Sequence, residues 1–309
     1  MPAMANVCVL GLFCVDLITR TERLPGWGES LRGQGFSLKP GGKGANQAVA
    51  AAYQGAAVSF ISRLGDDAFA AMGKALFAQA DIDTTHVTTD KALPTGTATI
   101  LVDANKGDNA IVVDTGACRE ITNQHIDDAA ACIQAAEIFV CQLELSLPVC
   151  EHAIAIAKAH HVPVVLNPAP ALELPAPLYP LIDYLTPNES EAAALVGHAL
   201  ETDTQIAAAA ATLRQRGVTS VLITLGERGV YIDSDAFQGI IPAFNAGPVV
   251  DTIGAGDAFN GALAAALAAG QSLPDAARRA CVAAGLSVTK AGAAPSLPSK
   301  EMVDRHLPS

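Results

Sequence analysis

The sequence is poor in positive charge. It has 19 Lys and Arg residues against 31 Asp and Glu, which gives a formal net charge of −12, and its isoelectric point is about 4.9. A negative protein repels nucleic acids and anionic membranes, so we expect neither as a partner. An anionic ligand would have to be held by local groups.

Paired cysteine motifs and targeting signals are also missing. The seven cysteines are scattered and include no C-x-x-C pair, so neither a disulfide framework nor a zinc site is predicted. The N-terminus lacks a basic segment followed by a cleavable apolar stretch, and the run VCVLGLFCV is too short to span a bilayer. We therefore expect a reduced, cytoplasmic protein in which this run forms the first buried strand.

Short β-rich runs alternate with alanine-rich helical patterns along the chain. VCVLGL and AVSFIS, for example, flank ANQAVAAAYQG. This alternation predicts a parallel sheet within one domain over residues 1–309. Two β-rich segments, roughly 13–39 and 96–114, interrupt the pattern, and the second predicts a hairpin around Asn105 to Asn109. They could form a lid over the carboxyl ends of the strands or ordinary surface decoration.

A glycine-rich turn precedes a predicted helix in DTIGAGDAFNG. The small residues Gly254, Ala255 and Gly256 permit close approach to the backbone. We expect the helix from Ala258, with the preceding amides at its N-terminus, where phosphate binds well. Asp257 could cap this helix or act as a base towards a substrate hydroxyl.

A second glycine cluster lies in KPGGKGANQAVAAA, also before a predicted helix. Gly42 permits close approach, Lys43 adds a positive charge, and Asn46 offers a donor and an acceptor to a polyol. A glycine-rich turn with a solvent-facing lysine is the plain alternative. Two such clusters suit two ligands that meet end to end, which indicates phosphoryl transfer. Neither G-x-G-x-x-G nor G-x-x-x-x-G-K-[ST] occurs, so a dinucleotide-dependent oxidoreductase and a P-loop are not supported.

GGKGANQAVAAA and DTIGAGDAFNG together resemble the two signatures of the ribokinase-like sugar kinases, the pfkB family. Similar stretches follow in order along nearly the whole chain: GLFCVDLITRTERLPGWGES, CQLE, LNPAP, TPNESE, TLGERGV and TKAGAAPSLP. The resemblance implies a three-layer α/β/α fold with a mostly parallel central sheet and a small β-rich lid. It also implies transfer of the γ-phosphoryl group of ATP to the primary 5-hydroxyl of a pentose, with D-ribose as the first candidate.

The same resemblance implies site residues. The catalytic base would be Asp257, next to the turn residues Gly254, Ala255 and Gly256. The sugar would contact Asp16, Gly42, Lys43, Asn46, Glu144 and Asp257. ATP would contact Asn188, Thr224, Leu225, Gly226, Glu227, Arg228, Gly229 and Gly256. Mg²⁺ would be linked to Glu191, and a K⁺ ion would be held by Asp251, Ile253, Ser287, Lys290, Gly292 and Ser296.

Some of these residues have plain structural alternatives. Asn188 and Glu191 are spaced like a helix N-cap and its first turn, and Asp16 could be a turn former at the end of a strand. Exposed apolar strand edges in the predicted lid favour a homodimer formed through it.

Two positions depart from the family pattern. Cys14 replaces the asparagine of an N-x-D triplet that touches sugar hydroxyls, so the choice of sugar is open. Deoxyribose, another sugar or a nucleoside are alternatives, as is a catalytically idle sugar-binding regulatory protein. Cys281 replaces a histidine near the adenine, which should affect nucleotide affinity more than chemistry.

Overall fold

The structure, a computed structural model, describes residues 5–105 and 108–307. The strands are, in chain order, β1 (Asn6–Leu10), β2 (Cys14–Thr21), β3 (Gly35–Gly41), β4 (Ala57–Leu64), β5 (Val87–Thr89), β6 (Thr95–Asp103), β7 (Asn109–Gly116), β8 (Ile138–Gln142), β9 (Val164–Asn167), β10 (Tyr184–Leu185), β11 (Ser220–Thr224), β12 (Val230–Asp233) and β13 (Gln238–Ile241).

The helices alternate with these strands over most of the chain. They are α1 (Lys43–Tyr53), α2 (Ala68–Gln79), α3 (Asn123–Asp128), α4 (Ala130–Gln134), α5 (Leu147–Ala159), α6 (Glu189–Val196), α7 (Asp203–Gln215), α8 (Ala255–Ala268), α9 (Leu273–Ser287) and α10 (Lys300–Asp304). Among the described residues, no helix has the length and apolar character needed to cross a bilayer.

The main sheet has the strand order β13-β12-β11-β10-β9-β8-β1-β4-β5. Its strands run parallel from β11 to β5, and β12 and β13 are antiparallel at one edge. Helices cover both faces of this sheet, and alternate side chains of β1 point to opposite faces. Cys8 and Leu10 pack with α3 to α7, and Val7 and Val9 pack with α1, α2 and α8. The predicted three-layer fold is confirmed.

A smaller sheet has the order β3-β2-β6-β7 and is built from the two β-rich segments. β2 is antiparallel to β3 and parallel to β6, and β6 and β7 form the predicted hairpin. Residues 106 and 107 of its turn lie outside the described residues. The role of this sheet as a lid stays a prediction.

The run VCVLGLFCV does not form one strand, so that prediction is wrong. β1 ends at Leu10, the chain leaves the main sheet at Gly11, and Cys14 opens β2 in the smaller sheet. Asp16 therefore lies within a strand of the smaller sheet and not at a strand end. The pattern of apolar residues does not reveal the break between β1 and β2, because the residues on both sides of Gly11 are buried.

Gly11 also determines where α1 begins. A Cβ on Gly11 would lie 2.6 Å from Cα of Gly44, and one on Gly44 would lie 2.5 Å from Cα of Gly11. Only glycine fits at either position while the backbone stays where it is. This contact places the N-terminus of α1 against the carboxyl end of β1, where ligands bind in parallel sheets.

Candidate active site

The turn before α8 contains the residues expected to bind phosphate. α8 begins at Ala255 and not near Ala258, because Gly254 adopts φ 80° and is the N-cap. Left-handed backbone of this kind favours glycine, and a Cβ on Gly254 would lie 2.8 Å from Cα of Ala293. The amides of Gly256 and Asp257 lie in the first turn, where the helix offers them no carbonyl.

Asp257 lies in the first turn of α8, and Gly254 is the N-cap of this helix. The side chain of Asp257 is buried and makes no capping hydrogen bond, so the capping alternative is wrong. Instead, Asn46 Nδ2 donates to Asp257 Oδ2 at 2.9 Å and Gln47 Nε2 donates to Asp257 Oδ1 at 3.0 Å. The carboxylate is thus held by two amides of α1. Such donors offset much of the free energy required to bury a charge.

Gln47 connects this carboxylate to the ends of two strands. It is fully buried, its Nε2 also donates to Oδ1 of Asn167 at 3.0 Å, and its Oε1 accepts from Nε2 of Gln142 at 2.7 Å. Gln142 ends β8 and Asn167 ends β9. Sequence reasoning missed these three residues. The available signal was a polar side chain at the end of each apolar strand and inside an alanine-rich helix.

The network returns from β9 to the turn before α8. Asn167 Nδ2 donates to the carbonyl of Thr186, and Thr186 Oγ1 donates to Asn260 Oδ1 at 2.6 Å. Asn260 Nδ2 in turn donates to the carbonyl of Gly256 at 2.8 Å. The side chains of Asn167, Thr186 and Asn260 are buried, so hydrogen bonds in low dielectric fix both Asp257 and the turn beside it.

The residues predicted to bind sugar lie close together around Asp257. The backbone amide of Lys43 donates to Oε2 of Glu144 at 2.8 Å. Asp16 is buried, and its carboxylate lies over Gly41, where a Cβ would meet Oδ1 at 2.3 Å. Asn46 Oδ1 is buried without a hydrogen-bond partner among the described residues and remains free to accept from a ligand. Gly42 has φ 90° directly before α1.

Several carboxylates of the site have raised pKa values. Burial raises the pKa of Glu144 to about 7 against the opposing charge of Lys43, and burial raises that of Asp16 to about 6. Burial also raises the pKa of Asp257, while Lys43, Asn46 and Gln47 lower it. Burial raises the pKa of Glu191 as well. Acids whose pKa values are shifted by burial and by one another are typical of functional sites.

A cavity of about 560 Å³ adjoins this polar site. Of the predicted ATP residues, it is lined by Thr224, Gly226, Glu227, Gly229 and Gly256. Its lining includes the turn before α8, so it reaches the residue next to Asp257.

Three predicted ATP residues do not line the cavity. Leu225 is buried, the Asn188 side chain caps α6, and Arg228 forms ion pairs with Glu189 and Asp203. Their role in binding ATP stays a prediction.

Sequence reasoning missed the opposite wall of the cavity. It consists of residues 243–247 together with Phe259 of α8, Gly285 of α9 and Val288 directly after α9. Gly285 packs so closely that a Cβ would lie 2.0 Å from the carbonyl oxygen of Phe244. Cys281 also lines the cavity, at the position expected near the adenine. Residues 243–247, AFNAG, resemble no motif, so no pattern in the sequence indicated them.

Glu191, which is assigned to Mg²⁺, lies in α6, whereas Asp251 and Ile253, which are assigned to K⁺, lie just before α8. Asn188 and Glu191 form a reciprocal capping box on α6, so the structural alternative for them is observed. Asp251 Oδ1 accepts from the amide of Ile253 at 3.0 Å, and Asp251 Oδ2 accepts from the amide of Gly292 at 2.8 Å. One carboxylate therefore joins the turn before α8 to the loop after α9.

The remaining K⁺ residues lie in or near this second loop. Ser287 and Ser296 are buried, and each hydroxyl donates to a backbone carbonyl at 2.8 Å, whereas Lys290 is exposed. Across residues 5–105 and 108–307, no group of three or more His, Cys, Asp or Glu residues could hold a metal ion by itself.

Comparison with known proteins agrees with this geometry. Residues 4–300 match the profile of the pfkB family carbohydrate kinases. The chain is 41% identical over 296 residues to the ribokinase of Haemophilus influenzae, with 96% of each chain covered. It is 37% identical over 303 residues to the deoxyribokinase of Salmonella typhi, with 98% of each covered. The structure of Arabidopsis thaliana ribokinase complexed with ribose and ATP matches with a TM-score of 0.91, at 31% identity and 98% coverage of each chain.

The raised pKa of Glu144 predicts how stability depends on pH. The folded protein binds this proton more tightly than the unfolded chain, so the free energy of unfolding falls as pH rises from the ordinary glutamate pKa to about 7. Glu144→Gln keeps an acceptor for the Lys43 amide but removes the titration. We expect the difference in unfolding free energy, variant minus wild type, to grow by about 1–3 kcal/mol over this pH range.

Urea unfolding of the ligand-free protein at several pH values measures this difference. Glu173→Gln, at an exposed carboxylate, is the matched surface control. A difference between the Glu144 variant and wild type that is constant with pH would contradict the prediction.

Proposed function

The chain belongs to the pfkB family of carbohydrate kinases, and within that family we propose that it transfers the γ-phosphoryl group of ATP to the primary 5-hydroxyl of a pentose. It is thus a phosphotransferase that acts on a hydroxyl group. D-Ribose is the first candidate, with ribose 5-phosphate as the product. One observation carries the proposal: the cavity is lined by Gly256, the residue that directly precedes the buried Asp257. Two ligands can therefore meet in line at this point.

The proposal assigns the sugar to the polar site and ATP to the cavity. Sugar hydroxyls would contact the carboxylates of Asp16 and Glu144, the loop at Gly42 and Lys43, and the free Oδ1 of Asn46. ATP would extend along the wall from Thr224 to Gly229 and place its phosphates at the first turn of α8.

Asp257 acts as the base in this reaction. Phosphoryl transfer is largely dissociative, so alignment of the attacking oxygen and neutralisation of charge supply most of the catalysis. The hydroxyl becomes acidic late in the transfer, and Asp257 then takes its proton. The hydrogen bonds of Asn46 and Gln47 favour the ionised carboxylate and orient it, while the amides of the turn stabilise the transferring group.

The residues present fit the two cations that the family implies. Glu191 has a half-buried carboxylate whose pKa is affected by burial and by the charges of Lys43 and Asp257, so it lies near both residues. It would hold Mg²⁺ through carboxylate oxygen or through water. Mg²⁺ supplies neutralisation of phosphate charge when bound. Asp251, with carbonyls of the two loops that it joins, offers oxygen ligands for K⁺. The proposed effect of K⁺ is to fix these loops without touching either substrate.

The choice between ribose and deoxyribose rests on Cys14. This residue is buried, and its Sγ lies 3.8 Å from Oδ1 of Asp16. A thiol is a weak hydrogen-bond donor and acceptor. The site should therefore distinguish ribose from deoxyribose less strongly than it would with an asparagine amide at this position. Deoxyribose is therefore the alternative, supported by the similarity to a deoxyribokinase. Another sugar or a nucleoside remains open, and the retained hydrogen bonds of Asp257 argue against an idle sugar-binding protein.

A substrate panel tests the proposed function. ADP release in the presence of Mg²⁺ should be stimulated by ribose or deoxyribose more than by hexoses or nucleosides, and it should rise with K⁺. In Cys14→Asn, the ratio of kcat/KM for ribose to that for deoxyribose should increase by about tenfold, because one hydrogen bond to the 2-hydroxyl is worth about 1.4 kcal/mol. No sugar-stimulated ADP release from any member of the panel would refute the kinase assignment.

Asp257→Asn tests the assigned base. We expect kcat to fall by about 10²- to 10⁴-fold while the sugar Kd changes little. The fold should persist, because Asn46 can rotate its amide so that its unpartnered Oδ1 faces the new NH₂ group. Steady-state kinetics and calorimetric sugar binding give the two quantities, with Asp235→Asn, whose side chain is 91% exposed, as the control. Wild-type turnover in the Asp257 variant would exclude a base at this position.

We also propose a homodimer formed through the smaller sheet. Both edge strands of this sheet expose large apolar side chains, which are Phe36, Leu38, Ile111, Val112 and Val113. Val112→Lys should shift the sedimentation coefficient from dimer to monomer at micromolar concentration, and Leu172→Lys, at an exposed apolar residue elsewhere, should not. A wild-type monomer would refute this part. The cytoplasmic location and the lack of nucleic-acid and membrane partners stay predictions.

A further inference from the structure

Two of the seven cysteines lie together outside the active site. Cys8 is in β1 and Cys132 is in α4, 124 residues apart, yet their Sγ atoms are 3.4 Å apart and share a hydrogen bond. The spacing of the cysteines along the chain does not indicate this pair. All seven cysteines fall within the described residues, and each is a free thiol.

The two thiols differ in their access to solvent. Cys8 is 1% exposed in the middle of the main sheet, whereas Cys132 is half-buried. The other five cysteines, Cys14, Cys118, Cys141, Cys150 and Cys281, are buried. A small oxidant in solution therefore meets Cys132 before any other thiol of the chain.

The hydrogen bond also gives the two thiols different chemical roles. The Cys8 thiol stabilises the Cys132 thiolate, which lowers the pKa of Cys132 to about 7 although burial opposes the change. Ser59 lowers this pKa as well, and Asp83, the charged group facing the pair, raises it. The pKa of Cys8 is raised by the same hydrogen bond and by burial. Cys132 is thus the nucleophile, and Cys8 keeps its proton.

We propose that Cys132 and Cys8 form a reversible thiol modification site, which peroxide converts into a disulfide. The Cys132 thiolate attacks one peroxide oxygen, the O–O bond breaks, and the departing hydroxide takes a proton to form water. The sulfur of Cys8 then attacks the sulfur of the Cys132 sulfenic acid and displaces hydroxide, which takes the Cys8 proton. Two thiols and one hydrogen peroxide thereby give one disulfide and two waters, and a dithiol reductant restores both thiols.

The geometry allows this bond with little movement. The sulfur atoms must approach by about 1.4 Å to reach disulfide length. Cys132 can supply the movement because it lies in a helix of only five residues at the surface. The bond would tie this helix to the central strand β1 and close a long loop of chain, so the oxidised protein should unfold at a higher temperature than the reduced one.

Mass spectrometry of the full chain tests the proposal. After treatment with one equivalent of hydrogen peroxide, we expect the intact mass to fall by two hydrogen atoms. Five of the seven cysteines should then react with N-ethylmaleimide after denaturation, and digestion should give one linked peptide pair that contains Cys8 and Cys132. Dithiothreitol should restore all seven thiols. A link between any other pair, or a Cys132 that stops at a sulfinic acid, would overturn the proposal.

Two variants separate the roles of the two thiols. Cys8→Ser should leave Cys132 as a sulfenic acid that dimedone traps, because no resolving thiol remains. Cys150→Ser, at another buried cysteine, should still form the disulfide. If the Cys8 variant does not fold, brief alkylation of the native wild type with iodoacetamide tests the site instead, through the order in which the cysteines react. Cys132 should react first, and an earlier reaction at any other cysteine would count against the site.

Discussion

The burial of one carboxylate is the constraint on which the site depends. Asp257 is 7% exposed and would be strongly destabilising without the amide donors of Asn46 and Gln47. Those donors belong to α1, so α1 and α8 must lie close together. Gly261 makes this possible, because a Cβ there would lie 2.4 Å from Cβ of Ala50. The small residues of both helices are therefore linked to the chemistry, since they allow the amides to reach the acid.

The ligand-free site brings several buried carboxyl groups together around Asp257. Burial raises the pKa values of Asp16, Glu144 and Asp257 together, and Lys43 offsets part of this effect for Glu144 and Asp257. The charge of Asp257 raises the pKa values of Asp16 and Glu144 further, so the ligand-free site binds protons more tightly than isolated carboxyl groups would. A polyol would supply hydroxyl hydrogen-bond donors to these oxygens, whereas a purely apolar ligand would leave them without partners.

The sequence predicted the frame of the molecule better than its details. Alternating runs identified β1, β4, β8, β9 and β11 because each is short and apolar and the runs alternate with helical patterns along the chain. The same reasoning merged β1 with β2, since burial on both sides of Gly11 looks alike in a pattern of apolar residues. The glycine clusters located the turns before α1 and α8 because a close backbone approach requires small residues.

Contacts between distant parts of the chain were beyond sequence reasoning. Gln47 meets Asp257 across 210 residues, and Cys8 meets Cys132 across 124. No local pattern encodes such pairs, because they depend on which strands become neighbours. The K⁺ and Mg²⁺ residues were identified only through the family resemblance, and Asn188 and Glu191 behave locally as an ordinary helix cap.

The contact between Gly11 and Gly44 limits how this protein can change. Each glycine occupies the space that the other's side chain would need, and glycine is already the smallest residue. A larger residue at one position therefore has no compensating partner at the other. Substitution of the side chains around the neighbouring pocket can alter its specificity, but neither of these two glycines can be replaced unless the backbone moves.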